Sequence, residues 1–161
     1  MRCLMFAALC ALVACGPSSA EIKTAKLANY TGEPPAMFKV VVDTTAETYK
    51  IADAGQNGES YALVTQPQWY NPEGGRQSSG AGDYVTIGAG SIRLELLVEM
   101  VPTESRRYMI TVTPRTLQHL SGSPQPRELK PDDPNLPGWV SGRVDTLQLE
   151  IHKRLQNYAT K

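Results

Sequence analysis

His119 and His152 are the only imidazoles in this chain, and neither stands in a spacing that builds a site. A zinc pair on a helix needs a second ligand three or four residues on, as in His-Glu-x-x-His. Those offsets hold Gly122 and Ser123 after His119, and Leu155 and Gln156 after His152. Both histidines are therefore expected to be solvated. The serines offer no nucleophile elbow, because Ser78-Ser79-Gly80 lacks a glycine two residues before either serine. Gly80-Ala81-Gly82 and Gly88-Ala89-Gly90 begin like a dinucleotide fingerprint but lack its third glycine and lead into strand-like sequence. Two carboxylates suffice for glycan hydrolysis. The one adjacent pair, Asp132-Asp133, sits in Lys-Pro-Asp-Asp-Pro-Asn, where turn formation with an Asx cap is the expected role. The expectation is no catalytic constellation, no metal site and no enzyme.

Recognition chemistry is better represented. Gln66-Pro67-Gln68-Trp69-Tyr70-Asn71-Pro72 sets Trp69 and Tyr70 between prolines, beside a glycine-rich loop over residues 71–82. Aromatics in such a place anchor protein or sugar contacts, so Trp69 and Tyr70 are the candidate partner contact. The plainer alternative is that they pin the loop to the domain.

The three cysteines, Cys3, Cys10 and Cys15, all fall within the first fifteen residues. Arg2 precedes an uncharged apolar run from Cys3 to Ala14, too short for the roughly 20 residues that a membrane span requires. Leu12-Val13-Ala14-Cys15-Gly16 then resembles the lipobox of bacterial lipoproteins: an aliphatic residue three before the cysteine, and a small one just before it. Leu9 makes Cys10 a poorer match. The resemblance implies cleavage between Ala14 and Cys15 and acylation of Cys15. Each buried methylene contributes about 0.8 kcal/mol, and several chains together anchor stably. Gly16 follows, rather than the aspartate that resembles an inner-membrane retention signal, so the expected location is the outer membrane, facing the periplasm. The remainder of the chain has no thiol for a disulfide, nucleophile or metal site. The acyl lipid on Cys15 is the only prosthetic group expected.

Charge excludes one class of partner. The chain has 16 basic and 16 acidic side chains, with no basic run longer than Arg106-Arg107, so no nucleic-acid footprint is present.

The elements that would position these residues follow from periodicity. Residues 15–36 read as the lipidated cysteine and a polar, proline-ended tether, which at full extension would reach on the order of 70 Å. Residues 37–161 then form the globular domain. Phe38, Val40 and Val42 alternate in a β-branched run that suggests a strand. Thr44 with Glu47 matches a capping box for a helix through Tyr49 and Ala52. Strands are expected over 60–66, 83–87, 91–101 and 107–113, the last stopped by Pro114. Ile92, Leu94, Leu96, Val98 and Met100 share one face of the third of these. Six prolines between Pro114 and Pro137 suggest a loop without regular structure. From about Trp139 to Tyr158, the stripe Val140, Val144, Leu147, Ile151, Leu155 and Tyr158 marks an amphipathic helix, with Glu150 and Arg154 as an i,i+4 pair. Trp139 is expected to pack the start of this helix on the sheet.

The fold class is thus α+β: one two-layer domain with an antiparallel sheet of about four to five strands, a short N-terminal helix and a longer C-terminal one. In element order alone it is similar to helix-grip domains, some of which occur in outer-membrane assembly lipoproteins. The leading functional expectation is a lipid-anchored, non-enzymatic envelope protein that binds another protein. The alternative is a lipid or small-molecule binder with a pocket between helix and sheet. A glycan hydrolase comes third.

Overall fold

The computed structural model describes residues 17–77, 87–104 and 106–160. In chain order the elements are α1 (Ser19–Leu27), β1 (Asn29–Tyr30), α2 (Pro34–Ala46), β2 (Ile51–Asn57), β3 (Ser60–Thr65), β4 (Gln68–Tyr70), β5 (Ile92–Pro102), β6 (Tyr108–Gln118), β7 (Arg127–Leu129) and α3 (Gly138–Arg154), followed by a 3₁₀ turn at Gln156–Tyr158. The class is the expected α+β, with an antiparallel sheet, but the sheet has seven strands rather than four or five. Of the four strands that the periodicity did not suggest, β1, β4 and β7 are two or three residues long, too short to leave a periodic signal, and β2 has seven.

The eleven-residue strands β5 and β6 pair along their whole lengths, from Ile92↔Gln118 to Pro102↔Tyr108. Each has two shorter neighbours end to end on its other side: β3 and β4 on β5, and β1 and β7 on β6, while β2 extends β3. As the alternation required, Ile92, Leu94, Leu96, Val98 and Met100 are all buried. Full burial of each such side chain contributes roughly 1.5–3 kcal/mol. Against this face lies the stripe of α3, with Val140, Val144, Leu147, Ile151 and Leu155 buried. Met37 and Val41 of α2 complete the core.

Several expectations are corrected. Residues 37–42 lie inside α2, not in a strand. Pro34 and Pro35 occupy its first two positions, where a missing N–H costs nothing. Met37, Val41, Thr44 and Thr45 are buried at helical spacing. Thr44 and Thr45 do not cap a new helix; they close this one, donating to the carbonyls of Val40 and Val41 at 2.7 and 2.8 Å. The expected helix through Ala52 is β2, which turns at Gly58 (φ 62°) into β3. The first strand and the helix after it thus lie earlier in the chain than expected: after α1 the order runs β1, α2, six strands and α3.

Residues 19–36, expected in the tether, are part of the folded domain. Ser18 and Glu21 form a capping box that starts α1. The helix then packs on α3 through buried Ala25 and the Lys26–Asp145 ion pair at 2.6 Å. Pro114 does not stop β6, which runs four residues further, and β7 gives the proline-rich segment a short strand. Arg154 donates from Nη2 to both carboxylate oxygens of Glu47, at 2.7 and 2.8 Å, rather than pairing with Glu150. The strand expected over 83–87 falls outside the described residues except for Ile87, which is not in a strand.

Candidate functional site

Trp69 and Tyr70 do not form one contact surface. They are neighbours on β4, and successive strand residues point to opposite faces. Tyr70 is 4% exposed and joins the core. Trp69, half-buried, meets His119 edge-on, with ring centroids 6.5 Å apart. Tyr70 instead stacks on Trp139 at 5.1 Å, and the Arg143 guanidinium lies 4.5 Å from the Tyr70 ring centroid.

This cluster holds the start of the glycine-rich loop. Trp139 donates its indole N–H to the carbonyl of Pro72 at 2.9 Å, and Arg143 donates to that of Gly74 at 3.1 Å. Gly74 has φ 89°, and a Cβ there would sit 2.9 Å from the Trp139 ring. Only glycine fits both demands. Tyr70 therefore pins the loop, and Trp139, in the first turn of α3, packs on that loop. Residues 78–82 lie outside the described residues, as do Ser78 and Ser79 and the leader with Ala14 and Cys15.

The remaining chemical candidates are dispersed. His152 is not simply solvated: its Nδ1 lies 2.9 Å from the hydroxyl of Tyr30, a residue with no exposed surface. Burial lowers the pKa of His152 and pushes that of Tyr30 up to about 12. Asp133 accepts from the backbone and side-chain amides of Asn135, at 2.8 and 3.0 Å, and pairs with Arg127. The backbone bond, with help from Arg127, lowers its pKa. This is the Asx geometry expected of the Asp132-Asp133 turn. Among the described residues no three His, Cys, Asp or Glu groups gather as a metal site, and no helix is long and apolar enough to cross a membrane.

A feature that sequence reasoning missed is the outer side of β6. The amide of Leu96 donates to Thr65 Oγ1 on the β3 side, at 2.9 Å. Odd-numbered residues of β5 must then carry the bonds to β6. Through Leu97↔Thr113 and Glu99↔Thr111, odd residues of β6 answer them. The backbone groups of Ile110, Val112 and Pro114 therefore point away from β5. On that side β1 ends at Met109 and β7 begins at Thr116, leaving residues 110–115 without a strand partner among the described residues. Pro114 sits where no ladder bond is lost, which is why it does not break the strand. Among the described residues the Ile110 carbonyl alone is covered, by the side-chain amide of Gln148 at 2.9 Å.

The open side of β6 faces a cleft of about 420 Å³ between the strand and α3, walled by Val112, Pro114, Leu136 and Val144, with Lys26 and Asp145 at its rim. A proline inside an otherwise good strand pattern was the one available signal, since prolines in sheets favour edges. No family model, curated protein or solved structure matches the chain.

Proposed function

We propose that this chain is a lipid-anchored cell-envelope protein, held by Cys15 in the outer membrane facing the periplasm, that works by binding another protein rather than by catalysis. The observation that carries the binding role is the open stretch of β6. Val112 presents an N–H and a C=O to a cleft with apolar walls, and short strands bound the stretch at both ends. An extended segment of a partner protein supplies the matching donor and acceptor, with apolar side chains for the walls. Strand addition of this kind takes affinity from the backbone and specificity from alternate side chains. The leader residues Leu12-Val13-Ala14-Cys15 support the anchor.

The binding role is tested by crosslinking the full lipidated protein in its own membranes and measuring amide exchange in the recovered complex. The expected result is slower exchange at Val112 in the complex, and loss of the partner in Val112→Pro, which removes an outward N–H without touching the β5 ladder. Trp69→Ala should retain it. Unchanged exchange at Val112 would sink the strand-addition reading, and a co-purifying lipid in the cleft would replace the protein partner with a small-molecule one. The anchor is tested separately. Cys15→Ala should leave the membrane fraction or accumulate unprocessed; a mature-sized, acyl-free chain still on membranes would refute it.

A further inference from the structure

Away from β6, the end of α2, the start of β2 and the bend between β3 and β4 enclose a second cleft, of about 500 Å³. Its walls are polar and carry the side chains of Tyr49, Lys50, Gln66 and Arg76. The one carboxylate in the wall, Glu47, is already engaged by Arg154. Neither Lys50 nor Arg76 has an ion-pair partner among the described residues.

The backbone under both cations is fixed. The carbonyl of Lys50 accepts from the amide of Gln66 at 2.7 Å, and Arg76 forms an antiparallel bridge with Tyr70. Behind them Arg143 adds a third positive charge, seated on the rings of Tyr70 and Trp139 and hydrogen-bonded to Gly74. Among the described residues, Glu47 is the carboxylate of the cleft wall and Glu150 acts on Tyr49 from outside it, against Lys50, Arg76, Arg143 and Arg154. A concave surface with this surplus concentrates anions.

We infer that this cleft is an anion-binding site, in which Arg76 and Lys50 hold a phosphate or carboxylate group and the Tyr49 hydroxyl donates to it. Charge-assisted hydrogen bonds of this kind are the strong ones, and the Arg fork suits either group. Burial raises the Tyr49 pKa more than the neighbouring Arg143 lowers it, so the hydroxyl keeps its proton and acts as a donor. The site shares no residue with the open side of β6 and does not depend on the partner proposed there.

The test is calorimetric titration of the full chain in detergent micelles with inorganic phosphate and, separately, with acetate, at constant ionic strength. Saturable binding of at least one anion is expected, weakened about fivefold or more by Arg76→Gln and by Lys50→Gln. Arg115→Gln, in an ion pair with Glu95 elsewhere on the sheet, should leave it unchanged. Tighter phosphate binding assigns the site to phosphate esters, and tighter acetate binding to carboxylates. Absence of saturable binding to the wild-type chain, or equal binding by both cleft variants and the wild type, overturns the assignment. Both substituted side chains are exposed, and circular dichroism confirms that the variants remain folded.

Discussion

The side-chain amide of Gln148, on α3, donates to the carbonyl of Ile110, on β6, across 2.9 Å, and reaches the Ala25 carbonyl of α1 at 3.3 Å. A helix residue thus stands in for the strand partner that β6 lacks at this point, and ties three elements together in the interior. Gln148 is 2% exposed, so neither carbonyl has ready access to bulk water in its place.

Gln148→Leu should therefore destabilise the fold by about 1–3 kcal/mol, the cost of leaving buried acceptors unpaired. Urea unfolding would report this as a lower midpoint at unchanged slope. An unaltered midpoint would mean that the two carbonyls find other partners.

The opposite placements of Trp69 and Tyr70 separate their energetics. Tyr70→Ala should cost about 3–5 kcal/mol, as removal of a large core aromatic does. Trp69→Ala should cost less than half as much, because part of its ring is already in water. Equal losses in thermal unfolding would contradict the assignment of Tyr70 alone to the core.

Gly74→Ala combines backbone strain at φ 89° with a clash against Trp139. The strain alone is worth roughly 1–2 kcal/mol. In a Trp139→Ala background the clash is gone and the strain stays. A double-mutant cycle should return a coupling of about 0.5 kcal/mol or more, and perfect additivity would show that the loop moves aside freely.

His152 makes stability depend on pH in a defined window. Its folded pKa lies below the ordinary value of 6.5, with burial as the cause. As pH falls the unfolded chain takes up the proton first, so this contribution is complete above about pH 6.5 and is lost towards the folded pKa. The groups around it include Tyr30, which stays protonated throughout, and Glu21 and Lys153 at the surface. Urea midpoints between about pH 7.5 and 5.5 should fall in the wild type and fall less in His152→Gln, above the range where most carboxylates titrate. Parallel pH profiles would remove His152 as the cause.

The strongest sequence signals were the long-period ones. Ile92 to Met100 and Val140 to Leu155 each repeat one spacing for long enough to leave a single interpretation, and both stripes are buried as expected. Phe38-Lys39-Val40-Val41-Val42 is apolar at nearly every position, so two-residue and helical periods fit it equally. The preceding Pro34-Pro35 decides for a helix. β2 could not be read: Ala52-Asp53-Ala54-Gly55-Gln56-Asn57 is exposed and poor in strand formers, and owes its conformation to pairing with β3. Adjacency in sequence places Trp69 and Tyr70 back to back once they lie in a strand, so the pair offers no single face. The open side of β6 depends on where β1 and β7 stop, which is set by tertiary contacts.

The shortness of that opening limits what the protein can do to itself. An exposed edge invites neighbouring copies to pair and grow into aggregates. Here the free stretch is closed at both ends by β1 and β7 and carries a proline that cannot donate, so another copy's long strand could not zip along it. At this edge the gap that would take one short guest strand is too short for a second copy to pair along.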